Sequence, residues 1–118
     1  MSSSEELAAE LSAAVHGLRE IRELVGGGGR DAFVDSVDRQ RALALCWVSV
    51  GSALKHYSQM TESEHGQPPL AAPIRFRDRL AHQRLDRLDP EILWETSVRQ
   101  TPVLLRIVEG MLEQLGPR

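Results

Sequence analysis

Cysteine is almost missing from this chain: among 118 residues only Cys46 carries a thiol. An internal disulfide is therefore impossible, and so is a zinc cage built from several thiolates. There is no uninterrupted apolar run of about eighteen residues and no secretory leader pattern, so the expected location is the cytoplasm, with no membrane partner. Nor is there a general excess of positive charge. The formal net charge is −3 and the pI about 5.8, which excludes a surface basic all over and confines any nucleic-acid contact to a patch. The strict apolar/polar alternation of strands and any internal repeat are absent too, which leaves helices.

The helices are legible from spacing. Leu7, Leu11, Ala14, Leu18, Ile21 and Val25 recur at alternating steps of four and three, the seam of an amphipathic helix. Ser2 or Ser3, each with a glutamate three residues on, offers a capping box, and Gly26 to Gly29 supplies the stop. A second helix is expected over Asp31 to Met60. Phe33, Val37, Ala44, Trp47, Gly51 and Leu54 form one stripe on it, and Leu43, Cys46, Val50, Ala53 and Tyr57 form another, so it should be buried on several sides.

From Thr61 to Pro73 the composition turns polar and proline-rich, which reads as a loop. A short helix from Pro73 to His82 follows, then a connection over 83–88. Asp89-Pro90-Glu91 is a strong helix start, with a cap, a proline at the first position and an early acid. Ile92, Trp94, Val98, Leu105, Val108, Leu112 and Leu115 carry that helix to Gly116-Pro117, with a kink expected near Pro102. The predicted fold is all-α, a single-domain four- or five-helix up-and-down bundle over residues 1–118.

The chemistry is concentrated in Arg77-Asp78-Arg79-Leu80-Ala81-His82. Arg75, Arg77, Arg79, Arg84 and Arg87 crowd into 75–87, whereas the chain as a whole is acidic. Arginine presents a planar fork of donors suited to phosphate oxygens, and histidine can give or take a proton near neutrality. Asp78 and His82, four apart, share a helix face, so the carboxylate can bond the imidazole. Arg77 and His82, five apart, differ by about 140° around an ideal helix and cannot converge in one straight copy. A second subunit or a helix end would resolve that.

This arrangement, an arginine followed by a polar residue and then His82 in a small helical domain, resembles the HEPN superfamily, and the whole chain resembles its HepT-like branch. Leu88 to Leu105, with Asp89-Pro90-Glu91, Trp94-Glu95 and Pro102-Val103-Leu104, is similar to that family's last helix. Ala42 to Lys55 with Gly51 resembles its central helix, and the opening helix with Phe33 also agrees. The resemblance implies a metal-independent endoribonuclease toxin of a type II or type VII-like toxin–antitoxin system, needing no cofactor. It also implies a homodimer whose paired motifs line a cleft, neutralised by a minimal nucleotidyltransferase antitoxin. Arg77 and His82 would be catalytic, with Asp78 in support, while Arg75, Arg79, Arg84 and Arg87 would meet RNA. The alternative is a catalytically inactive module of this fold that binds a nucleotidyltransferase or RNA.

Two positions depart from the family pattern. The tyrosine that commonly follows the histidine, which the antitoxin can modify with AMP, is here Arg84, so no modification site is expected; Tyr57 matches no such motif. The acid that often follows the central glycine is Ser52. Other residues read more plainly. Arg75 and Arg87 also fit rim charges, and Arg84 fits either an RNA contact or a pair with Asp86 or an acid of the last helix. His16, His56 and His65 have no compact ligand spacing, so no metal site is expected. Cys46 beside Trp47 reads as a buried, inert thiol. The glycine run lacks the lysine and preceding strand of a phosphate loop.

Overall fold

A computed structural model of the chain describes residues 3–61, 68–83 and 87–116. Among these are five helices and no strand: α1 (Ser4–Gly26), α2 (Gly29–Val34), α3 (Val37–Met60), α4 (Pro68–His82) and α5 (Pro90–Gln114). Ser3 caps α1, its Oγ accepting from the Glu6 N–H at 3.2 Å; Ser2 lies outside the described residues. The Glu6 carboxylate answers the Ser3 hydroxyl rather than its backbone, so only half of the expected capping box forms. Leu11, Ala14, Leu18 and Ile21 are buried as the seam requires, with Leu7 and Val25 half-buried at its ends. The glycine run ends α1 and also opens α2. Gly28 and Gly29, at φ 121° and 80°, take backbone positions that a side chain would strain.

The single helix expected over Asp31 to Met60 is two. Ser36 is extended (φ −118°, ψ 105°) and its Oγ accepts from the Arg39 N–H at 3.2 Å, a new N-cap where the stripe seemed continuous. Gln40 Nε2 donates to the carbonyls of Phe33 and Val34 at 3.2 and 2.8 Å, satisfying the end of α2. The break turns Phe33 inward onto Trp94, ring centroids 5.4 Å apart, and leaves Val37 56 % exposed, outside the core.

Close approaches fix the bundle's directions. Glu10 meets His56, Cβ space at Gly17 meets Val50, and Glu20 meets Cys46, so α1 and α3 run antiparallel. Leu80 and Gln83 lie beside Arg41, Ala44 and Leu45, Phe76 packs edge-on to Trp47 at 5.6 Å, and Pro73 approaches Gly51, so α4 runs antiparallel to α3. Arg19 pairs with Glu109, bringing α5 alongside α1. The result is the up-and-down bundle, with α3 central: Leu43, Ala44, Trp47, Val50, Gly51, Ala53, Leu54 and Tyr57 are all buried, so the two stripes hold except at exposed Val37 and half-buried Cys46.

α4 begins at Pro68, earlier than the expected Pro73. Pro68 and Pro69 fall in the first turn, where N–H groups have no helical partner to lose. Pro73 does forfeit one helical bond, and the burial of Leu70, Pro73, Ile74 and Phe76 holds the helix together around it. In α5, Asp89 Oδ1 accepts from the N–H groups of Glu91 and Ile92 at 2.9 and 3.4 Å. The helix then continues unbroken through Pro102. Its buried face keeps Leu105 and Val108 of the expected stripe, with Trp94, Leu112 and Leu115 packed against the core, but departs from it at Ile92 and Val98. Leu93, Ser97, Thr101, Leu104, Leu105 and Val108 face inward, whereas Ile92 and Val98 are 56 % and 45 % exposed. Ser97 belongs inside because its Oγ accepts from Trp47 Nε1 at 2.8 Å and donates to the Leu93 carbonyl at 2.7 Å.

Candidate active site

The candidate site lies where α4 crosses α3, and one missing side chain creates it. An ideal Cβ on Gly51 would stand 2.1 Å from Arg77 Cβ, 2.7 Å from Arg77 Cγ and 3.0 Å from the Pro73 carbonyl oxygen. Only glycine lets α4 come this close. The stem of Arg77 lies across Gly51, and its guanidinium continues to Ser52, where Nε donates to Oγ at 3.0 Å. Nη1 donates to Asp78 Oδ1, also at 3.0 Å. Arg77 is thus half-buried and fixed at two points, with its remaining N–H groups unused among the described residues.

Asp78 is not tied to His82. Its Oδ1 takes Arg77 on one side and Lys55 Nζ of α3 on the other, at 3.3 Å. The hydrogen bond from Arg77, followed by that from Lys55, holds the Asp78 carboxyl below its ordinary value of 3.8 against an opposing loss of hydration. The reason for the changed partner is direction. Asp78 leans toward α3, whereas His82 ends α4 exposed, with no hydrogen bond or ion pair among the described residues. Arg77 and His82 are therefore not brought together within one copy, in line with their angular separation.

The other arginines divide by position. Arg79 is exposed, its guanidinium carbon 5.4 Å from the centroid of the Phe76 ring. Arg75 is exposed beside it, and Ala72, Arg75, Asp78 and Arg79 border a shallow depression. Arg87 is exposed, and its backbone carbonyl accepts from Gln83 Nε2 at 2.9 Å. Arg84 and its suggested partner Asp86 lie outside the described residues. A larger depression, about 680 Å³, lies between α1 and α5, where Arg19 is already paired with Glu109. Paired charges give it little to offer a phosphate, which leaves the α3/α4 crossing as the candidate site.

The remaining candidates have structural partners. His16 Nε2 pairs with Glu20 at 2.7 Å and His56 Nδ1 with Glu10 at 3.0 Å, while His65 lies outside the described residues. Cys46 is half-buried rather than buried, and its thiol is pushed up to about 11 by burial and by the neighbouring Glu20 carboxylate. It is inert at neutral pH. The only tyrosine, Tyr57, is buried in the core.

The model of a protein family described as ribonuclease HepT-like matches residues 15–111. The chain belongs to the HepT-like ribonuclease family. No curated protein and no solved structure matches it. The matched span begins within α1 and ends within α5, so it takes in the whole α3/α4 crossing of this HepT-like chain. Sequence reasoning placed Arg77, Asp78 and His82 on one helix but missed Lys55. Its signal was present, since Lys55 stands four residues after Gly51 and three after Ser52, on the same face of α3.

Proposed function

We propose that this HepT-like protein is a metal-independent endoribonuclease toxin in which Arg77 and His82 carry the reaction. A ribose 2′-hydroxyl attacks the adjacent phosphorus, the 5′-oxygen leaves, and a 2′,3′-cyclic phosphate forms. His82 transfers the proton in this exchange, and Arg77 stabilises the charge that grows on the phosphoryl oxygens. General acid–base help is worth ~10²–10⁴-fold, and preorganised charge often contributes more. The observation that carries the assignment is Arg77 itself: it is held over Gly51 by Ser52 and Asp78 and still has N–H groups to give. A cation fixed before substrate arrives needs no reorganisation during the reaction.

Because Arg77 and His82 diverge, the reading includes a two-fold dimer in which the motifs of two copies face one RNA strand across a cleft. Asp78 positions Arg77 before RNA arrives, and Arg75, Arg79, Arg84 and Arg87 guide the RNA backbone. A minimal nucleotidyltransferase partner restrains the toxin, acting in the cytoplasm without AMP transfer at the Arg84 position. The test is cleavage of RNA by the purified protein with analysis of the ends. Cyclic phosphate ends, lost in His82→Ala and Arg77→Ala, support the reading; 3′-hydroxyl ends, or undiminished cleavage by His82→Ala, overturn it.

The same divergence of Arg77 and His82 supports a second reading, a non-catalytic module that binds RNA or a nucleotidyltransferase. It predicts unaltered growth on expression and a tight stoichiometric complex, with no RNA cut.

A further inference from the structure

We propose that Lys55 and Arg77 together form a seat for one RNA phosphodiester across the α3/α4 crossing, with Asp78 holding the place of the phosphate when RNA is absent. This rests on the reading of RNA as the substrate and adds a residue outside the arginine segment. Both cations bind the same oxygen, Asp78 Oδ1, Arg77 Nη1 at 3.0 Å and Lys55 Nζ at 3.3 Å. Two donors that converge on a single carboxylate oxygen are close enough for the oxygens of one phosphate to bridge. The carboxylate thus marks where an anion is stable.

The charge balance agrees. Arg77 and Lys55 bring two positive charges and Asp78 removes one, leaving the cluster with the single positive charge that complements a phosphodiester. Ser52 is decisive here, because it orients Arg77 through Nε without discharging it. Exposure permits the exchange: the side chains of Lys55 and Asp78 are each 38 % exposed and that of Arg77 28 %. Asp78 can swing out into water while Arg77 stays anchored over Gly51 and Lys55 follows the incoming phosphate on its flexible stem. The plain alternative is a surface ion pair that merely pins α4 to α3 and contributes little.

The two are separated by the salt dependence of binding. The probe is a labelled single-stranded 2′-O-methyl RNA oligomer, which lacks the attacking hydroxyl, titrated with the full chain at several salt concentrations. Lys55→Ala should flatten the slope of log affinity against log salt by ~0.7, the counterion share of one single-strand phosphate contact. Arg77→Ala should do the same, Lys55→Arg should restore the slope, and Asp78→Asn should bind more tightly than the parent. A structural tie predicts the opposite for Asp78→Asn, weaker or unchanged binding. An unaltered slope in a folded Lys55→Ala protein, or no binding of the oligomer at all, overturns the proposal. Cleavage is measured separately on ordinary RNA: binding that depends on Lys55 without cleavage removes the nuclease and keeps the seat, whereas cleavage with an unaltered Lys55→Ala slope removes the seat and keeps the nuclease.

Discussion

Replacing Gly51 with alanine should both destabilise the protein and misplace Arg77. The added methyl would stand 2.1 Å from Arg77 Cβ and 3.0 Å from the Pro73 carbonyl oxygen, whereas relaxed carbon contacts lie at about 3.5–4.0 Å. Neither obstacle is the free end of a side chain, so no rotamer change relieves the clash and α4 itself must move away by an ångström or more. Overpacking of this kind costs ~1–3 kcal/mol, and an obstacle made of Cβ and backbone belongs at the upper end. Alanine returns ~1 kcal/mol in helix propensity, so the expected net loss is ~2 kcal/mol. For a domain of 118 residues that corresponds to a fall in Tm of ~8 °C. Gly110→Ala is the internal control. Gly110 also lies inside a helix, with nothing within 4 Å of its added methyl, and should gain ~0.5–1 kcal/mol. Thermal unfolding followed by circular dichroism compares the two. If Gly51→Ala is as stable as the parent, or rises with Gly110→Ala, the close crossing is wrong and so is the account of how Arg77 is held. Where the protein cuts RNA, the same ångström of displacement should lower kcat/KM by ~10²-fold.

Two hydroxyls of α5 make opposite predictions. Ser97→Ala strands the buried Trp47 indole N–H and should cost ~1–3 kcal/mol in chemical denaturation, while Thr101→Val, which removes a buried hydroxyl with no hydrogen-bond partner among the described residues, should be neutral or stabilising. Cys46, its thiol pushed up to about 11 from 9.0, should react with a thiol probe at pH 8 roughly 100-fold more slowly than a cysteine peptide. Glu20→Gln should recover only part of that rate, since burial is the larger cause; peptide-like labelling of the parent would refute the environment described. Because the Asp78 carboxyl is held below 3.8, its stabilising contribution is complete above that pH and disappears as pH falls through the lowered value. A plot of Tm against pH should therefore fall less steeply on the acid side in Asp78→Asn than in the parent, and parallel curves would count against the Arg77 and Lys55 contacts.

Helix existence was readable because the strongest signals were local. Asp89-Pro90-Glu91 and Ser3 with Glu6 announce helix starts through backbone N–H groups that need partners, and the structure places caps at Asp89 and Ser3. Helix faces were less readable wherever a polar residue sits inside. Ser97 and Thr101 hold the middle of the buried face of α5, so a search for apolar spacing rotated the stripe onto Ile92 and Val98, which water covers. Ser97 enters because Trp47 needs an acceptor, and that need arises fifty residues earlier in the chain. The break at Ser36 was hidden for a related reason: Phe33 and Val37 keep helical spacing, which masks the Ser36 cap and the Gln40 bonds to the end of α2 that separate the two helices.

The candidate site divides in the same way. Arg77 to His82 is contiguous and declares itself by composition, yet contiguity assigned Asp78 the wrong partner. On one helix His82 is the neighbour of Asp78; across two helices Lys55 is, and the cross-helix contact wins because α4 approaches α3 at a glycine. Gly51 carries no chemistry of its own, but its missing methyl allows the approach that brings Ser52 to Arg77 and Lys55 to Asp78. The proposed functional unit is thus a crossing of two helices, with its orienting hydroxyl and second cation on α3 and its first cation and carboxylate on α4. A substitution on the quiet helix should disturb the site as surely as one in the arginine segment.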